Sequence, residues 1–229
     1  MNNVRVIYTC QGVYLTLCLQ EDAVNAPQIG VMYVDEFPAD PFEEFAAALK
    51  HPNLKLQIEP REPPGPYAGV EWLLPTAVIV FVGKAYFDAF LKEAGKDHYH
   101  LLRAAIKKLA SKFIGPSAPT VRLSFSDGKV KSPHPKYSLV YSVIAEIGDG
   151  LSVKLLLEPG LAAEECNQAI DAFTGFLEAL FSGTLDPASV RGLADAKPVG
   201  RLLLVAFNRE DTILEVMDPI PKHVRDKQA

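Results

Sequence analysis

The stretch Trp72-Leu-Leu-Pro-Thr-Ala-Val-Ile-Val-Phe-Val-Gly83 constrains this chain more than any other, because it is the longest apolar run and contains the only tryptophan. A helix crossing a hydrocarbon layer of ~30 Å needs about 20 apolar residues. This run has fewer, and extending it backwards meets Glu71, Pro66, Pro64 and Pro63. It therefore has to be buried inside protein. Thr76 to Val82 is rich in β-branched residues and shows no polar alternation, which predicts a central strand covered on both faces.

The run leads directly into a helical pattern from Lys84 to Ile114. Tyr86, Phe87, Phe90, Leu91 and Ala94 share one face of its first part. Leu102, Ala105, Ile106, Leu109 and Phe113 share a face of its second part, opposite Arg103, Lys107, Lys108 and Lys112. At 100° per residue the two apolar stripes are offset by roughly 80°. One straight helix cannot bury both, so a helix over 84–114 bent near Gly95 is expected.

Around this block the period changes repeatedly. Val4–Cys10 and Val13–Leu19 alternate across Gln11-Gly12 and read as a hairpin. Ile29–Val34 is a short strand. Pro41–Lys50 is helical in pattern, with Asp40 as its N-cap and two glutamates in its first turn. Asn53–Glu59 returns as a strand, and Pro60–Tyr67, with four prolines, is expected to be an extended connector rather than a lid. After Gly115-Pro-Ser-Ala-Pro119, strand patterns resume at Val121–Phe125, which turn at Asp127-Gly128. Tyr137–Ile147 and Leu151–Leu157 read as a hairpin across Gly148-Asp-Gly150, and Arg201–Phe207 with Thr212–Met217 as another. Between them, residues 162–182 form an amphipathic helix stopped by Gly183.

The expected fold class is α+β: mostly antiparallel hairpins, forming one or two sheets, packed against the bent helix 84–114 and the amphipathic helix 162–182. The chain reads as a single domain over 1–229. A division into lobes 1–115 and 119–218 stays open, with 219–229 as a frayed tail.

Composition narrows function by exclusion. Of 229 residues 48% are hydrophobic and the net charge is -5, which argues against a general polyanion binder, since nonspecific nucleic-acid affinity comes mostly from neutralised phosphates; no specific nucleic-acid partner is expected. The charge is unevenly spread. Residues 1–60 carry three basic against eight acidic side chains, whereas Lys84–Phe113 carries seven basic against three acidic. Either the two regions face each other within the fold, or Arg103, Lys107, Lys108 and Lys112 are left for an anionic partner. Cys10, Cys18 and Cys166 do not form a secreted-type disulfide framework, and the N-terminus alternates rather than forming a leader's continuous apolar segment. A cytoplasmic location is the expectation.

No cofactor is implied. Gly83-Lys84, Gly95-Lys96 and Gly128-Lys129 each lack the upstream glycine and the following Ser or Thr of a phosphate loop. Lys96-Asp-His-Tyr-His100 is the densest ionisable cluster. His98 and His100 diverge by about 200° on a helix, so no metal site is expected there. Asp97, His98 and His100 remain the candidates for proton transfer, on condition that they line a cleft. None of the cysteines has a basic neighbour in sequence to activate it, and no nucleophile elbow is present. The leading functional expectation is a non-catalytic protein- or ligand-binding module, with a protein partner or homo-oligomer. Two other readings stand beside it: an enzyme with a dispersed site around Asp97, His98 and His100, and a membrane-surface effector using the basic amphipathic helix 98–114.

Overall fold

The structure is a computed structural model, and it describes residues 7–8, 27–63, 76–91, 96–119, 122–123 and 135–219. In chain order its elements are β1 (Ile7–Tyr8), β2 (Ile29–Val34), α1 (Asp40–Ala48), β3 (Leu56–Arg61), β4 (Val78–Val82), α2 (Lys84–Phe90) and α3 (Lys96–Phe113). Then follow β5 (Arg122–Leu123), β6 (Tyr141–Gly148), β7 (Leu151–Leu156), α4 (Ala163–Phe181), β8 (Val190–Arg191), β9 (Leu202–Asn208) and β10 (Ile213–Met217).

Eight of the strands form one mixed sheet in the order β3-β2-β4-β6-β7-β9-β10-β8. Its neighbours β3/β2, β4/β6, β7/β9 and β10/β8 are parallel, and each of these pairs runs antiparallel to the next. This corrects the expectation of a sheet built mostly from hairpins. Parallel neighbours cannot be joined by a tight turn and need a crossover. Helices supply it for three of the four pairs: α1 lies between β2 and β3, α2 and α3 between β4 and β6, and α4 between β7 and β9, whereas β8 reaches β10 by way of β9. Only β6–β7 and β9–β10 are hairpins within this sheet. The sheet takes strands from both sides of Gly115–Pro119.

Register explains why β4 lacks alternation. On the face toward the helices, Val31, Val80, Val143, Leu155 and Val205 lie side by side across five strands, and all belong to the core that also holds the buried sides of α1, α2, α3 and α4. On the other face the adjacent row is Gly30, Phe81, Ile144, Lys154 and Leu204. Val78–Val82 are buried throughout, as a run without polar alternation requires. An aromatic series ties the layers together, with Tyr33 stacked on Phe42 at 3.9 Å, Phe42 on Phe113 at 5.6 Å and Phe113 on Tyr141 at 6.3 Å.

The single bent helix 84–114 is also corrected. Two helices are present, α2 and α3, each burying its own stripe: Tyr86, Phe87 and Phe90 on one, Leu102, Ile106, Leu109 and Phe113 on the other. The 80° offset between the stripes is resolved by separating the segments rather than bending one rod. Residues 92–95, where the bend was expected, lie outside the described residues.

Smaller differences have local causes. Ala39, not Asp40, occupies the N-cap of α1, and Asp40 with Glu43 lies in its first turn. Pro60 and Arg61 belong to β3 instead of the loop assigned to Pro60–Tyr67. The amides of Ile29 in β2 and of Asp35 just after it bond to the carbonyls of Lys55 and Arg61, so the even-numbered residues of β3 turn their backbone groups to the open edge. Proline is tolerated there because no ladder hydrogen bond is lost. The N-terminal hairpin expected over residues 4–19 lies outside the described residues except for Ile7–Tyr8, which pair in parallel with β5. The turn at Asp127-Gly128 and the tail beyond Pro219 also lie outside them. No helix among the described residues is long and apolar enough to cross a membrane.

Candidate functional site

His98 is in the first turn of α3 and is 7% exposed. Its Nε2 lies 3.2 Å from the carbonyl oxygen of Leu49, just after α1, and its Nδ1 lies 3.0 Å from the hydroxyl of Tyr86 on α2. A carbonyl only accepts, so Nε2 carries the proton; in the neutral ring that burial favours, Nδ1 then accepts from Tyr86, whose hydroxyl also lies 3.3 Å from the carbonyl of His98. This is the neutral tautomer, with both ring nitrogens engaged. Burial holds the His98 pKa below its ordinary value, reinforced by the nearby His51 and opposed by the bond to Leu49. The Tyr86 phenol is pushed up, mainly by burial. The side chain thus joins three helices through one ring.

Asp97 and His100 flank it in sequence but are exposed on the surface of α3. The structure separates the three candidates: one is inside, two are outside. A buried, doubly bonded imidazole has no ring nitrogen left for a solvent-borne substrate.

His98 does have a ring neighbour that sequence reasoning passed over. His51 stands 5.5 Å from it, edge-on, and 5.2 Å from Phe90. Its Nδ1 accepts the backbone N–H of Asn53 at 3.2 Å. His51 also lines an open depression of about 420 Å³ at the end of α1, walled by Ala46, Ala47, Lys50, Leu54 and Leu56. A lone histidine between a helix and a strand carries no motif. Only the crossover β2-α1-β3 brings His51 against α2 and α3.

Arg103, Lys107, Lys108 and Lys112 of α3 are distributed unevenly. Arg103 reaches Glu178 at 3.3 Å and Asp171 at 3.9 Å, and its guanidinium lies over the Tyr99 ring at 5.4 Å. Lys107 contacts Asp171 at 2.6 Å, and Lys108 contacts Glu44 at 3.1 Å. The first two are seams between α3 and α4, the third a seam between α3 and α1. Lys112 is exposed and takes part in no ion pair among the described residues.

The strongest electrostatic anomaly was not singled out from the sequence. Lys154 on β7 is 2% exposed. It lies in register between Ile144 and Leu204, on the sheet face away from the helices. Burial lowers its pKa to about 7, with the charge of Arg61 contributing. Near it in the fold, Arg61 donates to the carbonyl of Thr76, whose hydroxyl meets that of Ser142 at 2.6 Å. In sequence Lys154 alternates with Val153 and Leu155 and reads as solvent-facing. The contrary signal is that its strand sits inside the sheet, between two strands that are apolar on both faces.

Cys166 is buried, and burial raises its thiol to about 11, which leaves it a packing residue at neutral pH. No group of three or more His, Cys, Asp or Glu side chains among the described residues is placed to hold a metal. No family model matches the chain, and neither does any curated protein or solved structure.

Proposed function

We propose that the protein is a binding module without chemistry of its own, and that it receives a small ligand or a partner side chain in the depression at the end of α1. One observation carries the reading. Ala46, Ala47, Leu54 and Leu56 present apolar surface there, with Lys50 and His51 as the polar groups beside it, and a concave apolar surface with a few converging polar groups is the usual form of a recognition site. Support also comes from the candidate catalytic residues, since His98 is committed to Leu49 and Tyr86 and is not available to a substrate.

The test compares the purified protein with Ala47→Arg, which fills the depression from an exposed helix position. Native mass spectrometry of each, followed by cross-linking to proteins retained during purification, reports small-molecule and protein occupants respectively. The reading predicts an associated mass or cross-linked partner that the variant loses while keeping its helical circular dichroism. An occupant bound equally by both proteins contradicts it.

A further inference from the structure

We propose that His98 is a proton-operated latch, which holds the end of α1 against α2 and α3 at neutral pH and releases it on acidification. The inference is independent of what the depression binds.

The closed state is defined by donors and acceptors. The Nε2–H of His98 donates to Leu49, so the ring fastens the chain just beyond α1. Tyr86 donates to Nδ1 from α2, and the ring of Phe90 packs at 4.5 Å. His51 fastens the following turn by accepting from Asn53. The His98 ring is in neutral form in this arrangement, because its Nε2 carries the proton and its Nδ1 accepts.

Protonation turns the Nδ1 acceptor of His98 into a donor. The new N–H would oppose the Tyr86 hydroxyl, unless that hydroxyl swings to the His98 carbonyl, 3.3 Å away. That rotation can absorb the proton geometrically but leaves a cation nine-tenths buried, which burial opposes. Opening the Leu49–Leu54 segment admits water to the cation and removes that cost.

The charged and titratable groups near His98 are few. From the end of α1 come Lys50, which is exposed, and His51. From α2 comes Tyr86. On α3 itself Asp97 and His100 are exposed. No carboxylate among the described residues bonds the His98 ring, so nothing there compensates a cation inside. The sign follows. The folded group is held below its ordinary value of 6.5, so the latch is fully closed above about 6.5 and is lost as pH falls through the lower, closed-state value.

The experiment follows the imidazole Cε1–H resonances and backbone amide exchange of Leu49–Leu54 between pH 7.5 and 4.5, with exchange corrected for its intrinsic pH dependence. In the wild type the corrected opening should increase by up to about tenfold per pH unit in the interval between the closed and open pKa values. His98→Gln keeps an N–H for Leu49 and an oxygen for Tyr86 but does not titrate, and it should abolish the increase. His51→Gln removes the neighbouring charge and should move the His98 midpoint upward. Should His98→Gln not fold, Tyr86→Phe serves, since losing the donor that holds the neutral ring should move the His98 midpoint upward. Acid-induced opening that persists in His98→Gln, no opening in the wild type, or a midpoint indifferent to Tyr86→Phe would each overturn the latch.

Discussion

Lys154 lies directly beside Ile144, paired with it in register across the β6–β7 hairpin, so an amine with a pKa near 7 sits against an isoleucine in the middle of the sheet. The depressed value means that the unfolded chain binds a proton more tightly than the fold does. Between pH 7 and its ordinary value of 10.5, stability therefore rises with pH. Lys154→Met fills a similar volume without the charge. We predict that it stabilises the protein by about 2–5 kcal/mol at pH 7 and by less at pH 9.5. Urea unfolding at both pH values checks this. Equal or lower stability of the variant at pH 7 would show that folding does not disfavour the charged amine.

Lys107 and Asp171 form the closest contact across the α3–α4 seam, with side chains 26% and 44% exposed. Solvent screening keeps such a pair weak. A double-mutant cycle with Lys107→Ala and Asp171→Ala should give a coupling of about 0.3–1 kcal/mol. Arg103 shares Asp171, so the coupling should increase when Arg103 is replaced. Because Arg103, Lys107 and Lys108 already face carboxylates, the chain should not co-sediment with anionic vesicles at physiological ionic strength. Co-sedimentation lost in Lys107→Glu would return that face to an anionic surface.

Two turns make opposite predictions. Asp149 and Gly150 form the two-residue link of β6–β7 with φ of 50° and 70°, and a Cβ on Gly150 would lie 2.7 Å from the Arg201 guanidinium. Gly150→Ala should therefore destabilise by about 1–2 kcal/mol. Thr212, which closes β9–β10, is a β-branched residue at φ 55°, where glycine is at ease. Thr212→Gly should be neutral or stabilising by up to about 1 kcal/mol. Thermal unfolding of both variants decides. Destabilisation in both would mean that Thr212 contributes more by its side chain than its backbone costs.

These turns show what kind of information the sequence carries. Gly148-Asp-Gly150 announces a tight reversal because few other residues accept positive φ in succession, and the hairpin is there. The apolar stripes of 84–114 announce two incompatible faces, and the chain divides between them. Strand partnership is different. Nothing in Ile29–Val34 or Leu56–Arg61 says that they run side by side in parallel. The usable signal was the helix between them, which makes a crossover more economical than a hairpin. Reading strands two at a time along the chain missed it. The site follows the same division. His98 could be found from its own cluster, whereas His51 and Lys154 gain their meaning from neighbours distant in sequence: Phe90 and His98 for one, Ile144 and Leu204 for the other.

The central claim is that His98, one of three candidate proton-transfer residues in the sequence, is a neutral joint in the helical layer, in keeping with the proposal that the protein acts by binding. Long-range nitrogen–proton NMR of the imidazoles tests it directly, since it reports which ring nitrogen is protonated and at what pH the second one fills. The account predicts a single tautomer for His98 with the proton on Nε2, persisting below pH 6.5, and loss of the Nδ1 hydrogen-bond signature in Tyr86→Phe. Rapid exchange between tautomers with an ordinary titration would place His98 in solvent, reopen it as a proton-transfer residue, and contradict the account.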